Sequence, residues 1–489
     1  MPAGPDRLEA EKLSPYLLLL FTLLSTATLF DGFDAAMMTL AAPEVRSSLG
    51  IDLKQWGYIF GFCRLGMVAS FFFLLYADWI GRRALLMVTV VGFTLATGLT
   101  ALAADKYQFA ACQFLARLFL TAEYALAVIV IGEEFPARLR GRAIAFLTSL
   151  ATLGVVVIAK VQPYVLLEEG APSNWLHDFG QAGMAAMTGL LGVQSDGAGW
   201  RVLYFLGLPP LALMLLLRVG MRETRRFEAV KAAERERGKA PGWRDHLRNA
   251  RIPWEPRYRR RTAIVAVLWN CVHLVTAPAV AFWVIYAREQ LGFSAHQIGD
   301  ILFWGYLVGA CGHFVAGWAI DRIGRKWTCS VFYILASFAI VGLFQTQTLV
   351  GQYLWHISTV FCFLAAGTAT HIYASELFPT EIRATGYGWT TNLFGRITEV
   401  LTPLLVGVFV STLGISWSVT VVAFGPIVGA LIVLRYAPET MGMTLEEIDE
   451  ELSRGSSLVA RGSSVGSRSS HAVADSSIVA KASRATSDE

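Results

Sequence analysis

Charge is scarce in this sequence. Only 16% of its 489 residues are Asp, Glu, Lys or Arg, against 55% hydrophobic. A soluble chain needs more charge to keep its surface wet, so a soluble globular protein is excluded. Cysteine is scarce as well. The six (Cys63, Cys112, Cys271, Cys311, Cys329, Cys362) stand in or beside apolar blocks, without CxxC or metal-type spacing. That pattern speaks against a disulfide framework or a thiolate metal site, and they read as small packing residues. No nucleophile–base string, phosphate-cradling glycine loop or nucleic-acid module stands out. Neither an enzyme nor a nucleic-acid binder is expected, and no cofactor.

What is present is a series of long apolar blocks, such as Pro15–Ala41 and Ala263–Tyr286. Both exceed the roughly 20 residues that cross a bilayer. Twelve spans are expected, at 16–40, 55–77, 84–104, 107–133, 141–167, 200–219, 263–288, 297–319, 328–346, 350–376, 384–412 and 416–437. All should be helices, because lipid offers no partner to unpaired backbone groups. The head Met1–Ser14 precedes a block too long for a signal peptide and without a small-residue cleavage site, so it reads as a first span.

Basic residues set the expected orientation. Arg82 and Arg83 lie between spans two and three, Arg138, Arg140 and Arg142 between four and five, and Arg322, Arg325 and Lys326 between eight and nine. The stretch 218–261 is crowded with Arg and Lys, whereas the loop 168–199 has neither. The positive-inside rule then puts both termini in the cytoplasm of a cell that holds the chain in its plasma or inner membrane. The expected organisation is a cytoplasmic head at 1–15 and a six-helix bundle at 16–219 with its extracytoplasmic loop 168–199. A charged cytoplasmic linker follows at 220–262, then a second six-helix bundle at 263–440 and a largely disordered Ser-rich tail at 441–489. Within the linker, Glu223–Arg237 has the composition of a surface helix. Its arginines suit topology and lipid headgroups rather than nucleic acid.

The two bundles repeat each other. Asp78-Trp-Ile-Gly81-Arg82-Arg83 recurs as Asp321-Arg-Ile-Gly324-Arg325-Lys326, an offset of 321 − 78 = 243. Glu133-Glu-Phe-Pro136-Ala-Arg-Leu-Arg140 recurs as Glu376-Leu-Phe-Pro379-Thr-Glu-Ile-Arg383, and 376 − 133 is again 243. Such a repeat is expected of two bundles related by an axis along the membrane normal. The doubled D-x-x-G-R-[RK] and E-x-x-P-x-x-x-R motifs resemble the major facilitator superfamily over nearly all of 15–440. That resemblance implies an all-α membrane protein of twelve helices in two six-helix bundles, working by alternating access as a monomer. The family's fuller loop motif has Gly four residues before Asp. Gly317 fits it, and Leu74 departs from it. The resemblance also implies a cytoplasmic gate at these loops, built from Asp78, Gly81, Arg82, Arg83, Glu133, Arg140, Asp321, Gly324, Arg325, Lys326, Glu376 and Arg383, with Arg140 and Arg383 able to pair with Glu133 and Glu376.

Ionisable residues inside spans are costly and so are functional candidates. Asp31 and Asp34 are three apart and share a face of span one. Two facing carboxylates cannot both ionise readily, which suits proton uptake. Their Asp31-Gly-Phe-Asp34 string resembles the aromatic acid:proton symporters of the superfamily. The second-half string around Glu376, with Gly395-Arg396-Ile397 following, looks like the wider organic-ion and synaptic-vesicle-protein-like group. In span four Gln113 stands where the family has Arg, Arg117 where it has Gly, and Glu123-Tyr124 ends the place of a Gly-Gly-Glu-aromatic string. Glu123 joins the proton candidates. Arg117, Arg396, Glu399, His273, Asn270, Arg64 and Tyr124 are the substrate candidates. Arg396 offers a guanidinium fork for a carboxylate, or else a structural pair with Glu399. Lys160 reads as a snorkelling residue. Trp269, Trp283, Tyr306, Tyr373 and Tyr387 line a cavity for a ring or serve as packing.

The expected activity is proton-coupled symport of a small organic anion, an aromatic or other carboxylate. A sugar or polyol carrier fits the ending Pro438-Glu439-Thr440-Met-Gly442, which resembles the sugar-porter tail. An organic cation carrier would use Glu123, Asp31 and Glu399. A membrane sensor that has lost transport is the reading from another class.

Overall fold

The computed structural model describes residues 14–74, 80–135, 137–167, 170, 172–192, 197–218, 221, 223–224, 228, 251–378, 383–443 and 447. Asp78, most of the expected linker helix and the tail beyond Leu452 lie outside them, as do the side chains of Arg138, Arg140, Arg142 and Arg383.

The described chain is nearly all helix. In the first half run α1 (Pro15–Leu40), α2 (Ala42–Ser48), α3 (Leu53–Leu74), α4 (Arg82–Ala101), α5 (Lys106–Glu134), α6 (Ala137–Val165), α7 (Trp175–Leu191), α8 (Gly199–Leu206) and α9 (Leu208–Arg218). In the second run α10 (Arg259–Ile285), α11 (Ala295–Gly309), α12 (Cys311–Ile323), α13 (Arg325–Gln345), α14 (Leu349–Glu376), α15 (Arg383–Gly388), α16 (Ile397–Ala423) and α17 (Gly425–Tyr436). Among the described residues, ten helical stretches are long and apolar enough to cross a membrane. One of them, Thr385–Tyr436, is 52 residues long and breaks at Gly414, whose φ of 73° no L side chain adopts readily. It therefore crosses twice, and the 27-residue α10 completes the twelve. Helix starts carry local caps: Ser14 accepts from Leu17 N at 3.2 Å before Pro15, and Ser294 with Gln297 forms a capping box on α11.

Two seams join the halves. In one, α3 packs on α16. In the other, α6 packs on α11. The first is close: a methyl added at Gly57 would lie 2.5 Å from the Pro403 carbonyl. The second carries the ion pair Lys160–Asp300 and the Tyr164–His296 ring contact. Lys160 thus finds a partner in the other half rather than simply snorkelling. Adding the repeat offset to Lys160 gives Pro403, and subtracting it from Asp300 gives Gly57. The two seams are symmetry copies, one closed by charge and one by bare backbone. A third contact, Arg46–Glu289, joins positions 243 apart. A residue touching its own repeat copy must lie on the pseudo-twofold axis.

Among the described residues, two segments are π-helical, Tyr286–Gln290 and Trp389–Phe394. The second falls inside span eleven, between α15 and α16. Widened turns of this kind free backbone carbonyls and often mark functional positions.

Candidate functional site

The repeated loop motifs build the same device twice. Gly81 and Gly324 have φ of 105° and 94° and stand as N-caps of α4 and α13. The positive φ explains the glycine in each motif. Arg82 pairs with Glu133 at 2.9 Å and Arg325 with Glu376 at 3.0 Å. Arg325 also reaches Asp321 at 3.4 Å, while Asp321 itself stays largely in water. Arg140 and Arg383, expected as partners of Glu133 and Glu376, have undescribed side chains. The described partners are Arg82 and Arg325.

A third element of this device escapes sequence reasoning. Glu223 accepts from the backbone N–H of Arg82 at 3.0 Å and of Arg83 at 3.2 Å, and Thr224 donates to Glu133 at 2.8 Å. In the second half Glu439 accepts from the N–H of Arg325 at 2.8 Å and of Lys326 at 3.2 Å, and Thr440 donates to Glu376 at 2.7 Å. Each carboxylate sits at a helix N-terminus, where the dipole favours negative charge. The Glu-Thr pairs lie 439 − 223 = 216 apart, not 243, because the first half carries the extra helix α7. The only sequence signal was the Glu-Thr dipeptide itself. The ending read as a sugar-porter tail is, in this fold, the second-half copy of that cap.

Two clusters of charge lie in the membrane interior. The first is inside the N-terminal half. Arg117 on α5 lies 3.5 Å from Asp34 Oδ2 and donates to the Asp34 carbonyl at 3.2 Å. Glu123, one and a half turns on, points elsewhere: it pairs with Arg218 at 2.5 Å and accepts from Thr89 at 2.5 Å. Arg218 is fully buried. Sequence reading counted it with the linker arginines, although it falls within the expected span 200–219. Asp31 is 8% exposed and its Oδ2 is sealed without a hydrogen-bond partner. Among the described residues it has no ion pair. It lies within electrostatic reach of Glu123, Arg218, Asp34 and Arg117, and Glu123 bears on it more than Asp34 does. Of the two acids expected to face each other, Asp34 lies against Arg117, and Asp31 has no ion pair among the described residues.

The second cluster straddles the α3–α16 seam. Glu399 is held by Arg396 at 2.6 Å, by Arg64 from the other half, and by His273 Nε2 at 3.5 Å. Both arginines also approach the Met67 sulfur. The carbonyls freed by the π-helical segment are captured from α10: Asn270 Nδ2 donates to Phe394 O at 2.8 Å, and His273 Nδ1 meets Gly395 O at 2.7 Å. Asn270 Oδ1 accepts from Thr398 N at 3.0 Å. Arg396, at the N-cap of α16, keeps its Nε buried without a hydrogen-bond partner. Rings surround this end. Trp269 stacks on His273 and meets His371 edge-on, Tyr387 bonds to His371, and Trp389 packs on Phe71 across the seam with centroids 5.0 Å apart. Tyr124 bonds Thr148 at 3.0 Å and lies within electrostatic reach of both Asp31 and Arg396. The other expected ring-lining residues are packing: Trp283 bonds Gln352 at 2.9 Å, Tyr306 sits by His356, and Tyr373 bonds the Pro438 carbonyl. Among the described residues no His, Cys, Asp and Glu group could hold a metal.

Comparison with known proteins fits this architecture. The chain is 27% identical over 383 residues to a protein of Bacillus subtilis named as a putative niacin/nicotinamide transporter, covering 78% of this chain and 85% of that one. It is 26% identical over 451 residues to a gallate transporter of Pseudomonas putida, covering 88% and 94%. The fold is that of a solved bacterial homologue of the human lysosomal transporter Spinster in an inward-facing, occupied conformation, with a TM-score of 0.69 at 16% identity, covering 86% of this chain and 98% of that one. The Major Facilitator Superfamily pattern matches residues 24–397 and 275–467. A twelve-helix membrane protein with a doubled loop device and buried charge between its halves, this chain belongs to the Major Facilitator Superfamily and is one of its transporters.

Proposed function

We propose that the transporter carries a small organic anion, an aromatic or other carboxylate, together with a proton, by alternating access of its two bundles. The observation behind this reading is the charge balance of the two buried clusters. The first holds Asp31, Asp34 and Glu123 against Arg117 and Arg218, one acid in excess. The second holds Arg64 and Arg396 against Glu399, one base in excess with His273 neutral. Empty, the two clusters together sum to zero. A proton on Asp31 and a carboxylate at Arg396 bring each cluster to zero separately. Either ligand alone leaves a net charge in a low-dielectric interior, a state that desolvation penalises. The empty and doubly loaded carriers are therefore the ones that interconvert, which is the requirement of symport.

The aromatic groups beside Arg396 suit a planar ring, and α16 turns its positive end to the same place. Relatives named for niacin and gallate agree with an aromatic acid. Asp31 is the coupling carboxylate, with Glu123 as its neighbour. Arg396 and Arg64 hold the substrate, steadied by Glu399, His273 and Asn270, and Tyr124 bridges the two clusters. The face bearing the Asp78 and Asp321 loops is cytoplasmic by the positive-inside rule, in a cell membrane, and the loops form its gate.

Uptake into proteoliposomes is the test. Acid outside should drive accumulation of a benzoate-type acid, and Asp31→Asn should abolish accumulation while sparing exchange. Facilitated diffusion indifferent to the pH gradient overturns the coupling. Displacement of the cargo by hexoses or by quaternary amines, with benzoates inert, overturns the substrate class in favour of a sugar or an organic cation.

A further inference from the structure

On the face opposite the motif loops, α2 follows α1 directly and carries Glu44 and Arg46. Arg46 reaches across the axis to Glu289 of the second half. Glu44 is half-buried within electrostatic reach of Glu289 and Arg288, its Oε2 sealed and without a hydrogen-bond partner. Arg46 Nε is likewise sealed and unpartnered. A carboxylate oxygen shut away at the contact between two moving halves is a group whose surroundings change when the halves part.

We infer that Glu44 is a proton-binding site that controls the seal on this face. With its proton it rests in the closed contact near Glu289; without it, the carboxylate favours the parted halves, where water reaches it. The charged groups on its own helix and on the elements packed against it are few. The π-helical turn Tyr286–Gln290 contributes Arg288 and Glu289. From its own helix comes Arg46, held by Glu289. From α8 comes Arg201, whose guanidinium is turned to the Ala101 and Ala103 carbonyls at 3.2 and 2.6 Å. The last turns of α1 (residues 35–40) and of α10 (residues 281–285) contain no charged residue.

The electrostatics agree in sign. Burial pushes the Glu44 carboxyl up from its ordinary 4.5 to about 7; its own backbone N–H and Arg288 pull it down, and Glu289 pushes it up. In the parted state water restores the ordinary value. The sealed form therefore holds the proton more tightly. Below pH 4.5 both forms are protonated and the site is silent. Between 4.5 and about 7 rising pH shifts the balance toward the parted form, and above about 7 it shifts no further. The parted-to-sealed ratio rises by at most about tenfold per pH unit in that window. Acid on this side thus helps to shut the seal, whatever protonates Asp31.

Tyr107 and Val350 report on the seal. They are repeat copies 350 − 107 = 243 apart, on the same face, and 76% and 70% exposed. Spin labels at Tyr107→Cys and Val350→Cys, in full-length protein with Cys112 and Cys311 replaced by Ser and reconstituted in liposomes, give the distance between the halves by double electron–electron resonance. The longer-distance population should grow from pH 4.5 to 7 and then level off. Glu44→Gln should remove this growth and keep the short distance throughout. Glu44→Asp, which folds with a titratable group in place, should retain it. Asp31→Asn should retain it too, which separates this site from the coupling carboxylate. A Glu44→Gln protein that keeps the wild-type pH response overturns the inference. So does a response that vanishes in Asp31→Asn instead, or a wild-type distance that ignores pH in this window.

Discussion

The two faces of this transporter are tied by different kinds of contact. At the motif face, Arg82–Glu133 and Arg325–Glu376 each lie within one half, each with a Glu-Thr pair closing the ring. At the opposite face, Arg46–Glu289 and Lys160–Asp300 run between the halves. The same chemistry therefore does two jobs. Within a half it fixes helix ends that move together. Between halves it fastens surfaces that separate in the proposed alternating access, and there at least one partner of each pair is exposed: Lys160 and Asp300 are 46% and 45% exposed and Glu289 38%, although Arg46, at 12%, is as buried as Arg82 at 11%. At these two faces, burial strengthens the ties within a half, and exposure weakens the Lys160–Asp300 tie between them.

Four substitutions probe this contrast. The largest effect is expected for Glu133→Ala, which leaves Arg82 and Thr224 without this carboxylate. Breaking a buried pair costs about 3–5 kcal/mol, seen as a large fall in the melting temperature of detergent-solubilised protein. Next is Gly57→Leu. Its side chain meets the Pro403 backbone and should cost about 1–3 kcal/mol of seam packing, read as loss of the short Tyr107–Val350 label distance with little change in melting temperature. If melting temperature falls and the distance holds, the α3–α16 seam is not the moving surface. Arg46→Glu sets two carboxylates against each other on the axis, about 1–2 kcal/mol toward the parted form. Adding Glu289→Arg should restore the wild-type distance, and a double variant no better than the single one removes the pair from the seal. Lys160→Ala should be mildest, under about 1 kcal/mol, because its pair is exposed and screened by salt; a small change in transport rate that disappears in high salt is the expected signature.

The spans and the doubled loops were legible because they are local. Apolar length makes a crossing, and Gly81 and Gly324 sit where a positive φ is needed a fixed distance from Asp and Arg. The twelve-helix, two-bundle fold followed from that alone. The Glu-Thr caps were hidden because α7 lengthens the first half and breaks the register that revealed the other motifs. Arg218 was hidden among linker arginines, and only the packing of α9 against α1 and α4 makes it an interior residue. Glu399 was read as a partner for Arg396, but that Arg64 reaches it from 335 residues away depends on how two bundles meet. No spacing along the chain encodes that.

The contact on the axis has a historical consequence. Position 46 touches its own copy at 289, so in a dimer of identical halves an arginine there would meet an arginine. A glutamate would fare no better. Opposite charges at that point require two copies free to diverge, as the two halves of a single chain are. Joining the halves end to end did more than keep them together: it made an attractive clasp possible at the one place where perfect symmetry allows only repulsion.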